Sequence, residues 1–231
     1  MKFARLALAL AAPFLLVSCL LTPGKFTSTL DVRKDRSFTF AYQGEVILLD
    51  PGAAMQEGMQ EGLADGKKKP APAKAPPPSG EESSEDKAAR QAIAEGLSKE
   101  AGYRSVEYLG KDKFRVDYAM TGKLDRSFVY PLNLDAKSII PWIVVEVRKD
   151  GSVRMTGLAF GDSDSGMGGM GGMGSAAKSE QKAREGTFTL TTDANLVMQN
   201  NEEGLAPGPG TKVVWKVTPS SRTAPTAVIR F

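Results

Sequence analysis

The sequence predicts an α+β protein built on a mostly antiparallel, curved β-sheet with one or two helices. Three observations indicate this class. Long segments alternate apolar and polar residues with a period of two, short Asp- and Gly-containing turns separate them, and helical patterns are confined to one stretch of the chain. The chain has 231 residues, of which 41% are hydrophobic, so one folded domain is the natural expectation.

The first predicted element is a hairpin of residues 26–33 and 37–49, with a turn at Lys34-Asp35-Arg36. Its second strand places a row of large apolar side chains on one face: Phe38, Phe40, Tyr42, Val46 and Leu48. Two strands alone are marginally stable in water, so this face must be covered by another part of the chain.

Two helices are predicted next. Asp50-Pro51 has the form of a helix N-cap, with Met55, Met59 and Leu63 recurring every four residues, although Gly58 and Gly62 weaken this helix. Ser83-x-x-Asp86 resembles a capping box and precedes a stripe of Ala89, Ile93 and Leu97, with Gly102 as the expected end. The thin apolar stripe predicts that this second helix lies against a sheet.

The rest of the chain is predicted to be strands. Residues 103–109 and 113–120 flank a turn at Gly110-Lys111-Asp112, and Phe114, Val116, Tyr118 and Met120 share a face. Residues 142–148 and 152–160 flank Lys149-Asp150-Gly151, a strong hairpin turn. The other predicted strands are residues 127–134, 187–192, 195–199, 212–218 and 224–231. The turn segments 32–37 and 147–152 are near-copies, which similar hairpins explain without a duplication.

Two low-complexity stretches interrupt this pattern. Residues 66–82 are rich in Pro and Lys, and residues 161–185 contain a Gly/Met run without a structural period. Neither stretch can bury enough apolar surface to offset the entropy of ordering it, so both are predicted to be disordered. We interpret them as insertions into a single domain of residues 26–231.

The N-terminus has the layout of a secretory signal, with Lys2 and Arg5 before an apolar run that is too short to span a bilayer. Leu16-Val17-Ser18-Cys19 resembles the bacterial lipobox, which implies a signal peptide of residues 1–18, diacylglycerol on Cys19 and a lipidated tether of residues 19–25. A buried free cysteine, an uncleaved anchor and an ordinary secreted protein are the alternatives. Leu20, where an aspartate would favour inner-membrane retention, implies an outer-membrane location facing the periplasm.

Composition excludes several functions. Loss of Lys2 and Arg5 with the leader lowers the formal charge from +3 to +1, which argues against nucleic-acid binding. The chain has no histidine, so Ser-His-Asp and Cys-His catalysis are excluded. Ser84-x-x-Lys87 and Ser175-x-x-Lys178 lie in or beside polar segments, and Gly166 and Met173 break the calcium-loop pattern that begins at Asp162. We predict that the protein is not an enzyme and needs no cofactor.

One weak metal candidate remains. Met167, Met170 and Met173 are spaced three residues apart, and thioethers are soft ligands suited to Cu(I). The alternative is a glycine-rich loop with incidental methionines, since glycine tracts do not pre-organise a site. We therefore predict no metal site beyond this candidate.

The order of elements carries a family resemblance. A lipobox cysteine, a hairpin, a helix, the segment GYRSVEYLGKDKFRVDYAMTG and a closing ANLVMQNNEEG…TKVVWKV are similar to the LppM-type lipoprotein domain. The resemblance implies a helix-grip-like lipid-binding fold with an apolar cavity. The two insertions depart from that pattern.

We therefore expect a membrane-anchored, non-enzymatic envelope lipoprotein that binds a lipid or another apolar ligand through residues not yet identified. Support comes from strand aromatics that one thin helix cannot cover: Phe38, Phe40, Tyr42, Phe114, Tyr118, Trp142 and Trp215. Ordinary core packing is the alternative for each of them. The second hypothesis is an envelope scaffold that binds an unknown protein partner through strand edges or residues 67–74.

Overall fold

The computed structural model describes residues 20–49, 82–131, 141–161, 183–208 and 210–231. Its elements, in chain order, are β1 (Leu20–Val32), β2 (Ser37–Leu49), α1 (Ser84–Leu97), β3 (Tyr103–Gly110), β4 (Lys113–Lys123), β5 (Phe128–Tyr130), β6 (Ile143–Val147), β7 (Val153–Thr156), a 3-10 helix (Leu158–Phe160), β8 (Glu185–Thr192), β9 (Asn195–Gln199), β10 (Thr211–Val217) and β11 (Thr226–Arg230). The predicted helix over residues 50–65 and most of both predicted insertions lie outside the described residues.

The strands form two sheets. A six-stranded sheet has the order β10-β8-β1-β2-β4-β3, and a five-stranded sheet has the order β5-β6-β7-β11-β9. Neighbouring strands are antiparallel except β1 and β8, which pair in parallel from Lys25↔Glu185 to Val32↔Thr192. The predicted α+β class with mostly antiparallel strands is confirmed.

The two sheets enclose one aromatic core. Rings of the six-stranded sheet meet rings carried by the other sheet and its connections, with centroid distances of 4.7 Å for Phe38–Phe128, 4.9 Å for Phe40–Tyr130 and 4.5 Å for Phe26–Phe160. The aromatic face of β2 is therefore covered mainly by a second sheet. Among the described residues, every buried residue of this core lies between Phe26 and Ile229, with Leu21 packed against it.

The hairpin turns are built as predicted, and they are built alike. Asp35 accepts hydrogen bonds from the backbone N–H (2.9 Å) and hydroxyl (2.6 Å) of Ser37, and Asp150 does the same for Ser152 at 3.0 and 2.7 Å. Arg36 takes a positive φ of 67° in the first turn and donates to the Gly151 carbonyl of the second at 2.9 Å. The two near-copied turns thus join the sheets at one end.

Helix α1 begins as predicted, with Ser83 as N-cap accepting from the backbone N–H of Asp86 at 3.0 Å. The helix ends at Leu97, and Gly102, with a φ of 93°, lies in the turn before β3. The predicted stripe is only partly right, because Ala89 is exposed and Ala94 is the one fully buried residue of α1. No helix in the described part of the chain is long and apolar enough to cross a bilayer.

Three boundaries differ from the predictions. Strand β1 begins at Leu20, not at residue 26, because residues 20–23 pair with the end of β2, so residues 20–25 are not a free tether. Strand β7 ends at Thr156, since Phe160 turns inward as part of a 3-10 helix and stacks on Phe26. The predicted insertion of residues 161–185 ends earlier, because Arg184 is buried and Glu185 starts β8.

Candidate functional site

The predicted site residues Cys19, Met167, Met170 and Met173 lie outside the described residues, so lipidation and Cu(I) binding stay predictions. Within the described ranges, no group of three or more His, Cys, Asp or Glu side chains could hold a metal ion. Ser84 and Lys87 are exposed on the first turn of α1, a position that only caps and solvates the helix.

An apolar pocket lies where α1 covers one end of the sheets. Its volume is about 30 Å³. The lining comes from both sheets, the helix and the segments beside them: Leu21, Val46, Leu48, Ile93, Leu97, Tyr103, Phe114, Val116, Tyr130, Pro131 and Trp142. No charged side chain belongs to this lining.

Strand pairing positions the pocket floor. Leu21 of β1 pairs with Leu48 of β2, and Val46 of β2 pairs with Phe114 of β4. Trp142, which precedes β6, donates its indole N–H to the Leu21 carbonyl at 3.0 Å and so ties the second sheet to the start of β1. The pocket therefore depends on the strand pairing of residues 20–23, which was not predicted from the sequence.

Helix α1 forms the cover. Ile93 and Leu97 line the pocket, although Ile93 remains 36% exposed. The Arg90 guanidinium holds the helix to the β3–β4 turn through Asp112, at 2.5 Å. Because α1 buries one side chain fully, its packing against the sheet is slight compared with that between the two sheets.

The size of the pocket limits what it can hold in this conformation. Sites for drug-sized ligands usually measure about 300–1,000 Å³, whereas a few tens of Å³ hold one or two water molecules. A lipid chain can enter only if α1 moves away from the sheet.

Two of four neighbouring tyrosines, Tyr103 and Tyr130, line the pocket. The Tyr118 ring lies 4.6 Å from the Tyr130 ring and 5.0 Å from the Tyr103 ring, and the Tyr42 ring is tilted at 5.7 Å from that of Tyr130. Burial raises the pKa of Tyr103 to about 12, with the nearby Glu100 carboxylate adding to the effect, and burial raises the pKa of Tyr130 well above its ordinary value. These hydroxyls are therefore hydrogen-bond donors throughout the physiological pH range.

The predicted aromatic positions fall into two groups. Phe114 and Trp142 line the pocket, while Phe38, Phe40, Tyr42 and Trp215 are buried in the core. Tyr118 is half-buried beside the pocket and does not line it. Tyr103 and Tyr130 were not singled out from the sequence. Of these two, only Tyr103 could have been found from the sequence, because it starts a predicted strand directly after the glycine expected to end the helix.

Comparison with known proteins leaves the family open. No family model matches the chain, and no curated protein matches it. The NMR structure of the folded domain of the Mycobacterium tuberculosis LppM protein is similar over 91% of both chains, with 14% identity and a TM-score of 0.33. This is the family that the sequence patterns resemble, and values this low do not establish membership.

Proposed function

We propose that the protein is a non-enzymatic lipoprotein of the bacterial envelope that binds an acyl chain in the pocket beneath α1. The observation that supports this function is a pocket lined only by apolar and aromatic side chains. Transfer of a hydrocarbon chain into such a lining is favourable by about 0.8 kcal/mol per methylene group.

The position of the pocket in the chain adds to this proposal. Leu21 lines the pocket and lies two residues after Cys19, so their Cα atoms are separated by at most about 8 Å. If Cys19 carries the lipid anchor, the pocket lies beside the membrane surface. A lipid could then pass between the bilayer and the pocket without crossing a long aqueous distance.

Opening of α1 is the required conformational step. The helix is held by Leu97, the Arg90–Asp112 ion pair and Ala94, and Ala94 is its one buried contribution to the core that the two sheets share, so the step removes only that side chain from the core. The open state then needs only a modest free energy, which acyl-chain burial can supply. The ligand-free protein would favour the closed pocket.

The anchor has its own test. We expect metabolic labelling with a clickable fatty acid to mark the wild type, and mass spectrometry to find Cys19 as its first residue. Cys19→Ser should carry no label and should keep its leader, so membrane association through residues 6–17 could persist. An unmodified Cys19 in the wild type, or label on the serine variant, contradicts the lipoprotein assignment.

Lipid binding in the pocket can be tested by placing a charge at Ile93, the partly exposed residue of its lining. Full-length wild type, Ile93→Glu and Ala92→Glu are purified from host membranes in one detergent, and their non-covalent lipids are quantified by mass spectrometry. Ile93→Glu should retain at least about tenfold less lipid, because a carboxylate in an apolar pocket costs several kcal/mol. Ala92→Glu is the matched control, since Ala92 is exposed and does not line the pocket. Equal, measurable lipid in all three proteins refutes the proposal, and so does a wild type without lipid whose residues 20–231 also fail to bind an added acyl-chain probe.

A scaffold function is the second candidate, and strand β9 favours it. This edge strand carries no charged residue and exposes Val197 (48%) and Met198 (42%), whereas exposed sheet edges are usually protected by charge or proline. A partner strand could pair along it. Under this alternative, lipid recovery does not depend on Ile93.

A further inference from the structure

The pocket lining contains three side chains with polar atoms, and two of them have no protein partner among the described residues. The Trp142 indole N–H is bonded to the Leu21 carbonyl at 3.0 Å. The hydroxyls of Tyr103 and Tyr130 have no hydrogen-bond partner among the residues that the structure describes. Tyr130 is 2% exposed, and neither hydroxyl is fully enclosed, so a solvent molecule or a ligand atom can reach each of them.

The hydroxyls of two neighbouring tyrosines, in contrast, have protein partners. Tyr42 donates to the Glu45 carbonyl at 2.7 Å, and Tyr118 donates to the Met120 sulfur at 3.5 Å. The two hydroxyls that lack a protein partner therefore belong to the two tyrosines that line the pocket, where they are free to donate to an acceptor atom of a ligand.

We propose that Tyr103 and Tyr130 bind the carbonyl oxygen of an acyl ester, so that the pocket selects esterified acyl chains over free fatty acids. This inference rests on the proposed lipid-binding function and names its ligand class. The ligand is an uncharged ester of a bilayer glycerolipid, with its chain in the apolar part of the pocket.

Charge decides between the ester and the acid. No cationic side chain lines the pocket. Besides burial, the negative charge of the Glu100 carboxylate contributes to the raised pKa of both Tyr103 and Tyr118, so this charge is near the pocket. An ionised fatty acid would be desolvated without a counter-ion and close to a like charge, which is strongly unfavourable. An ester carbonyl accepts the same two hydrogen bonds without that penalty.

The test uses residues 20–231, which contain every core residue of the described part of the chain, and a matched pair of probes. Dibrominated stearic acid and its monoglyceride are titrated separately at about pH 8, and quenching of Trp142 emission reports binding in the pocket. The monoglyceride should bind at least about tenfold more tightly. Tyr130→Phe and Tyr103→Phe should each weaken monoglyceride binding about five- to tenfold and leave acid binding unchanged.

Tyr118→Phe is the matched control and should preserve the preference, because its hydroxyl already has a partner and does not line the pocket. Ligand-free Tyr130→Phe should have an unchanged or higher Tm, since it loses a hydroxyl without a partner. Equal affinity for acid and ester, or a preference that survives both Tyr→Phe changes, overturns ester recognition while lipid binding stands. A lowered Tm for ligand-free Tyr130→Phe also overturns it. If neither probe quenches, both this inference and the proposed function fail.

A diacylglyceryl group on Cys19 carries the same ester chemistry and is the second possible source. One equivalent of non-covalent glycerolipid with the native lipoprotein identifies the bilayer as the source. Tight monoglyceride binding by residues 20–231, with no non-covalent lipid on the lipidated protein, supports ester recognition and assigns the pocket to the protein's own anchor.

Discussion

Arg184 shows how one side chain can hold separate segments together. It is 4% exposed, and its guanidinium donates to the carbonyls of Ala159 and Gly161 at 2.9 Å each and to that of Ser221 at 3.1 Å. It therefore fixes the 3-10 segment and the loop before β11 against the start of β8. An arginine suits this task, because its planar group presents several donors at once.

Arg184→Met should lower the free energy of unfolding by about 3 kcal/mol or more, because it leaves buried carbonyls without donors. Urea denaturation followed by circular dichroism measures this change. Arg222→Met is the control, since Arg222 is exposed, and it should stay within about 0.5 kcal/mol of the wild type. Equal denaturation midpoints for both variants contradict the structural role of Arg184.

At the scale of elements, the features that were predicted correctly are those that depend on residues close together in the sequence. The Asp-Arg-Ser and Asp-Gly-Ser turns, the Ser83 cap and the alternation in the first half of β4 each depend on residues within one short segment, and the structure contains all of them. The start of β1 was missed because Pro23 and Gly24 look like strand breakers. The structure places a register shift between Pro23 and Phe26, so the strand continues across these residues.

The candidate site could not be predicted in the same way. Leu21, Tyr103 and Tyr130 are far apart in sequence, and only the pairing of β1, β2, β4 and β3 with α1 and β5 beside them brings these residues together. The aromatic pattern indicated a large apolar interior, but it did not distinguish a core covered by a second sheet from a ligand cavity. That distinction depends on contacts across the whole molecule.

At the scale of the whole molecule, the two sheets are joined at both ends. Arg36 donates to the Gly151 carbonyl at one end and lies over the Phe231 ring at 4.4 Å, while Trp142 binds the start of β1 at the other end. Between these links lies the aromatic core, which includes Tyr42 and Tyr130. Loss of that core should therefore unfold both sheets together.

The tyrosines make this cooperativity visible at alkaline pH. Burial raises the pKa of Tyr42 and Tyr130 well above the ordinary value near 10.0, and that of Tyr103 to about 12. The folded state thus retains protons that the unfolded state releases above about pH 10, so stability is complete below that pH and declines as the pH rises toward about 12. The chain has no histidine, so we expect no stability change from histidine titration between about pH 5 and 8.

We therefore expect one steep transition above about pH 10, in which tyrosinate absorbance rises while the β-sheet circular dichroism signal falls. Tyr130→Phe removes one of the raised groups without removing a hydrogen bond within the described residues, so its transition should be less steep and should move to higher pH. Gradual tyrosine ionisation with an unchanged circular dichroism signal through about pH 12 would show that these hydroxyls are not coupled to folding. In that case the shared core would not be the unit that holds the two sheets together.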